Sequence, residues 1–370
     1  MNAAPPGPPL DLLADPLLYG VAAVLVFLLG MLFGSFFNVA IYRVPIGLSV
    51  GRPARSFCFR CGSPVEARDN VPVLSWLLLR GRCRSCGVPF SWRYAGVELL
   101  TGAIFCAVFL ATIPLGGELR IALLWYWAFA GLLIVGTFTD FDHWIIPDSV
   151  TVGGALAGIP AALLIGLVDR EGILTQAGPF PAVRHVPGSD PVFYFDAIIS
   201  GVARGSDAAP LWWDAPANAL LGILIGPAIL FAVGELGRLL FRKDAMGFGD
   251  VKLFALIGVT LGPVNTLLVL FMASILGTIS GLGGIVASWF AERRPPPLAE
   301  GRAHAPRETD ALAEDDPSRL LARLVERDAE RKPGKNLHHL PFGPWIALAG
   351  LLLLLFHEQI RGGLAGFVLP

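Results

Sequence analysis

Long uncharged stretches alternate with short charged ones along this chain. No charged residue occurs from Leu17 to Tyr42, a run longer than the ~20 residues a spanning helix needs. Further apolar runs cover Val97–Leu115, Ile121–Thr139, Val150–Val168 and Ala217–Leu240. The stretch from Leu253 to Phe290 is too long for one helix, and Gly262-Pro263 divides it into a short sixth span and a longer seventh. A last run begins at Leu340-Pro341-Phe342-Gly343-Pro344 and ends near Phe356. The pattern predicts an all-α polytopic membrane protein with about eight transmembrane helices.

Composition agrees and excludes an ordinary soluble domain. Hydrophobic residues make up 54% of the 370 and charged residues 15%, with a mean hydropathy of +0.64. The net charge of −1 says little about partners, since charge is sorted by loop along the chain, and nucleic acid is not expected. The tail 1–16 is Pro-rich without a basic residue, which argues against a cleaved signal peptide. After the first span (17–42), the segment 43–96 carries nine arginines against Glu66 and Asp69, so it is expected on the cytoplasmic side. Three spans (97–168) lead to an extracytoplasmic insert (169–215), three more (216–290) to a charged cytoplasmic insert (291–339), and 340–370 form the last span and tail. Within the second insert, 317–332 could make an amphipathic helix.

Two features exceed what packing requires. Cys58-x-x-Cys61 and Cys83-x-x-Cys86, separated by 21 residues, can close a tetrahedral thiolate site, so the 43–96 segment reads as a small zinc-binding module with these four cysteines as ligands. The second feature is a set of acids at membrane boundaries. Asp140 follows an apolar run directly in Asp140-Phe141-Asp142-His143-Trp144-Ile145-Ile146-Pro147-Asp148, while Asp250 follows Gly247-Phe248-Gly249. A carboxylate so placed is costly unless it pairs, hydrates or reacts. Asp148 suits the first turn of a helix opened by Pro147, a role Asp140 does not share. Eight spans put the Asp140 and Asp250 segments on the same, cytoplasmic side. Two adjacent carboxyls cannot both ionise easily, so one can act as acid while the other activates water. Such a dyad would cut peptide bonds, and bare backbone at Gly247 and Gly249 suits an extended peptide; Gly247, Phe248, Gly249 and Lys252 are the expected substrate-binding residues. No Ser/His/Asp set or His-Glu-x-x-His motif competes. A transporter or scaffold using paired acids for proton coupling stays open on these residues alone.

The residues resemble a known family. Gly34-Ser35-Phe36-x-Asn38-Val39, Tyr42-Arg43-x-Pro45, the two cysteine knuckles, Pro72-Val73-Leu74-Ser75-Trp76, Arg93-Tyr94-x-x-x-Glu98, Asp140 with Ile146-Pro147-Asp148, Gly247-Phe248-Gly249-Asp250-Val251-Lys252-Leu253 and Pro341-Phe342-Gly343-Pro344 look like those of the bacterial type IV prepilin peptidases. The resemblance implies a GxGD-type aspartyl protease of the bacterial inner membrane, multi-pass, with its active site facing the cytoplasm. It implies Asp140 and Asp250 as catalytic acids, and prepilins and type II secretion pseudopilins as substrates among membrane lipid. It also implies N-methylation of the new N-terminus with S-adenosylmethionine, for which only the 43–98 region, with Asn38, Arg43 and Glu98, can be offered. A peptidase-only GxGD protease is the alternative. A presenilin-like enzyme should carry a Tyr-Asp pair, whereas Thr139-Asp140 stands here.

Overall fold

Helix α1 (Pro16–Arg43) starts where the Asp15 carboxylate accepts a 2.8 Å hydrogen bond from the Leu17 amide and proline takes the first helical position. The computed structural model describes residues 15–52, 55–58, 61–112, 119–168, 214–242, 247–291 and 342–368. The tail 1–14, Pro341 and nearly all of the inserts 169–215 and 291–339, with the amphipathic helix expected in the second, lie outside the described residues. After α1 come α2 (Leu74–Leu78), α3 (Arg93–Thr112), α4 (Leu119–His143), α5 (Asp148–Val168), α6 (Asp214–Phe241), α7 (Phe248–Ala291) and α8 (Gly343–Val368).

Six of these helices are long and apolar enough to cross a membrane, and Gly343–Phe356 adds a shorter apolar one. Helix α7 is interrupted at Gly262, whose φ of 74° is open to glycine and strained for other residues, just before Pro263. The break produces the two segments anticipated from the sequence, so the described helices supply the eight apolar segments expected. Helix ends differ from the apolar runs. Helix α4 continues four residues past Thr139, so Asp140 and Asp142 stand on its last turn and not in a following loop. An unsatisfied backbone at a membrane boundary favours continuing the helix until a stop signal. Here the stop is Trp144, in the left-handed region at φ 56°, followed closely by Ile146-Pro147.

Lipid offers no hydrophobic drive between helices, so association rests on close fit. Helices α6 and α7 approach backbone to backbone at Gly222 and Gly258, where an added methyl on either would overlap the other's carbonyl. Helices α1 and α3 meet in the same way: a Cβ on Gly30 would lie 2.8 Å from Cα of Gly102. Helix α4 occupies the middle, with Tyr126, Phe129 and Leu133 fully buried, and α7 contributes Phe254, Leu256 and Ile257 to the same core. This packing gathers the C-terminus of α4 and the N-termini of α5, α7 and α8 at one end of the bundle. The segment between α1 and α3 carries the cysteines and leads into the first turn of α3, where Arg93 joins that end of the bundle through Asp142.

Candidate active site

Asp140 and Asp250 come from different helices and are both buried, at 7% and 9% exposure. Asp140 is held by the last turn of α4, and its carboxylate accepts a hydrogen bond from the Gly343 amide at the start of α8. Asp250 sits in the first turn of α7, its amide bonded to the Gly247 carbonyl at 3.1 Å, within electrostatic reach of Asp140. Ile146 bridges the two sides. Its Cβ lies 3.6 Å from the Cβ position of Gly249, next to Asp250, and its Cδ1 lies 2.8 Å from that of Gly343, beside Asp140. Two carboxyls from distant parts of the chain thus share one partly enclosed place, which is what acid–base chemistry on a peptide requires.

The neighbouring residues have other partners than spacing alone would assign. Lys252 Nζ pairs with Asp148 Oδ1 at 2.6 Å and lies 5.1 Å from the centre of the exposed Phe248 ring. This pair ties the first turn of α7 to that of α5. Gly249 is bare toward Ile146, inside the protein, while exposed Gly247 leaves open space beside Asp250 Oδ2. Asp142 forms a two-pronged pair with Arg93, with contacts of 2.7 and 2.6 Å. The contribution of Gly343 and the Asp142–Arg93 and Asp148–Lys252 pairings were not legible in the sequence. No local spacing signals a partner on another helix.

The cysteine module is built twice on one plan. In each half, Cys-x-x-Cys-Gly-x-Pro folds so that the first cysteine amide donates to the carbonyl five residues on, Cys58 to Ser63 and Cys83 to Val88, both at 2.9 Å. The glycine after each second cysteine, Gly62 or Gly87, adopts φ 70° and donates back to the first. All four sulfurs converge within 4.8 Å of one another, with Cys58 and Cys86 3.8 Å apart. Zn–S bonds of about 2.3 Å place tetrahedral sulfurs about 3.8 Å apart, so the set fits zinc. The Ser63 hydroxyl, 3.3 Å from the Cys61 sulfur, and the Ser63 backbone pull that thiol down to about 6, toward the thiolate a metal needs. Arg84 grips Asp69 by two bonds of 2.6 and 2.7 Å and holds its carboxyl below the usual carboxylate range.

Between this module and the ends of α1 and α3 lies a cavity of about 460 Å³, a usual size for a small-molecule site. Its walls include Asn38, Arg43, Glu66, Trp76, Tyr94 and Glu98. The structure therefore brings Asn38, Arg43 and Glu98 to one space. Asn38 Nδ2 donates to the Tyr94 carbonyl at 3.0 Å, and Arg43 to the carbonyls of Val50 at 3.0 Å and Arg55 at 3.4 Å. Glu98, 8% exposed, accepts a 2.7 Å bond from the amide of Val73, a residue at φ 59°.

Comparison with known proteins bears on both halves of this arrangement. Residues 28–112 match the family model described as Bacterial Peptidase A24 N-terminal domain, and residues 191–282 match that of the Type IV leader peptidase family. The first match holds the four paired cysteines and the whole cavity wall; the second holds Asp250. A protein of Myxococcus xanthus (strain DK1622) named prepilin leader peptidase/N-methyltransferase is 36% identical over 352 residues, covering 90% of each chain. The chain belongs to the prepilin leader peptidase family. An Aeromonas hydrophila protein of the same name is 29% identical over 91% of both chains. The type 4 prepilin-like proteins leader peptide-processing enzyme of Escherichia coli O78:H11 (strain H10407 / ETEC) is 30% identical over 68% of this chain and 81% of its own. No solved structure matches the chain.

Proposed function

We propose that this protein removes the leader peptide from type IV prepilins and type II secretion pseudopilins, then N-methylates the new N-terminus. The observation that carries the first step is the convergence of Asp140 and Asp250, buried together across Ile146. One carboxylate takes a proton from water as the oxygen attacks the scissile carbonyl; the other, protonated, gives its proton to the departing amide nitrogen. The products are a leader ending in a carboxylate and a mature chain beginning with a free amine. Gly343 orients Asp140 through its amide, and the exposed edge at Gly247 and Phe248 is where an extended peptide meets the pair.

The cavity beside the cysteine module is the proposed site for S-adenosylmethionine. Carboxylates at Glu98 and Glu66 suit a cationic ligand, and Trp76 and Tyr94 add aromatic residues to the lining, a composition suited to a flat base or a sulfonium. When bound, S-adenosylmethionine supplies a methyl group to the amine lone pair; the C–S electrons remain on sulfur and the amine sheds a proton. Cys58, Cys61, Cys83 and Cys86 would hold a structural zinc that fixes the cavity's outer wall. The excess of arginine in 43–96 supports a cytoplasmic site in a bacterial inner membrane. The test incubates membranes holding the full-length enzyme with a prepilin and S-adenosylmethionine, and reads the mature N-terminus by mass spectrometry. Glu98→Gln is expected to yield cleaved, unmethylated product. Full methylation by that variant would refute the cavity's assignment, and cleavage by Asp140→Asn would refute the dyad's.

A further inference from the structure

The first turn of α3 is a junction. Arg93 reaches Asp142 on the last turn of α4, half a turn beyond Asp140. One residue on, the Tyr94 carbonyl accepts from Asn38 of α1, and a turn later Glu98 accepts from Val73 of the cysteine-bearing segment. Asn38, Tyr94 and Glu98 line the cavity; Asp142 belongs to the helix end that presents Asp140. Arg93 also stacks over Phe138, with its guanidinium carbon 5.3 Å from the ring centre, so it lies along the final turns of α4.

We propose that the Arg93–Asp142 pair is a positioning pair that fixes the cavity relative to the Asp140–Asp250 site and thereby sets how completely cleaved chains become methylated. The proposal rests on the reading of the cavity as the methyl-donor site. A forked guanidinium–carboxylate contact defines orientation as well as distance. Orientation is what the second reaction needs, because the amine freed at one site must be presented at another, and misplacement by 1 Å can cost about 100-fold in rate. Cleavage depends on the pair only through the last turn of α4, which backbone bonds such as that from the Trp144 amide to the Asp140 carbonyl hold without it. The other supports of the dyad, Gly343, Ile146 and the Lys252–Asp148 contact, do not run through Arg93. Both partners are part-exposed, so losing the pair costs little global stability.

The experiment uses full-length enzyme in membranes with full-length prepilin, and follows cleavage and N-methylation separately while S-adenosylmethionine is varied. Arg93→Ala and Asp142→Asn are expected to cleave within about twofold of the parent but to methylate roughly fivefold or more slowly, with the KM for S-adenosylmethionine unchanged. The double variant should be no worse than either single one, and the charge swap Arg93→Asp with Asp142→Arg should regain much of the methylation. A merely structural role would lower both rates together and would not respond to the swap. Unchanged methylation in the single variants, parallel loss of both activities, or a swap without recovery overturns the proposal. Glu98→Gln run alongside separates the two ideas: methylation lost there but intact in the Arg93 and Asp142 variants overturns the coupling and leaves the cavity reading standing. Methylation intact in Glu98→Gln overturns the cavity reading and the coupling with it.

Discussion

The Gly343 amide donates to the Asp140 carboxylate across a gap that only glycine leaves open. A Cβ at position 343 would lie 2.6 Å from Asp140 Oδ2 and 2.8 Å from Ile146 Cδ1. The start of α8 therefore acts as the back wall of the acid pair. Gly343→Ala should push the carboxylate aside and lower kcat for leader cleavage by roughly 10–100-fold while KM for the prepilin moves little. Initial rates over a range of prepilin concentrations decide it, and a normal kcat in properly inserted protein would count against the back-wall role.

Asp140→Asn and Asp250→Asn should each abolish leader cleavage, and the double variant should be no worse, because two groups acting as a unit are not additive. Both variants should insert and accumulate normally, since the amide keeps the size of the acid. Residual cleavage of a prepilin in membranes by either single variant would remove that residue from the chemistry.

Lys252 and Asp148 hold the first turns of α7 and α5 together at 2.6 Å, with the lysine 27% and the aspartate 68% exposed. Such a pair contributes about 0–1 kcal/mol to stability, so its value lies in placement. Lys252→Ala and Asp148→Asn should each reduce cleavage by roughly two- to tenfold, far less than loss of Asp140. Reversing both charges should recover most of the loss; equal inactivity of Asp148→Asn and Asp140→Asn would mean that Asp148 belongs to the reacting set.

Purified protein should contain one zinc per chain, and Cys58→Ser or Cys83→Ser should release it and loosen the module. Structural zinc supplies roughly 10–16 kcal/mol of apparent binding in small modules, so the cavity wall should lose its shape with the metal. Ligand thiols must be deprotonated, so acidification should favour release. Elemental analysis across a pH series tests both points. Retention of zinc in the cysteine variants would place the metal elsewhere.

Much of the architecture is legible from the chain in order. Eight apolar segments, the break at Gly262-Pro263 and the end of the last span near Phe356 all follow from hydropathy and from residues that interrupt helices. The two cysteine knuckles announce the four-sulfur cluster, because thiolates at that spacing can close on one point. Acids at Asp140 and Asp250 stand out because burying charge is costly. Each of these is a property of one segment and its solvent, so a local reading suffices.

The partnerships are of another kind. That Asp142 faces Arg93, that Asp148 holds Lys252 and that Gly343 supports Asp140 depends on how far helices slide and turn against one another. That is set by contacts such as Gly222 against Gly258 and Gly30 against Gly102, where missing side chains let backbones touch. The same holds for the cavity, whose walls come from α1, α3 and the cysteine module. Hydropathy says which segments enter the membrane, since each is transferred on its own composition. Their register arises from interlocking surfaces that exist only once all of them are packed.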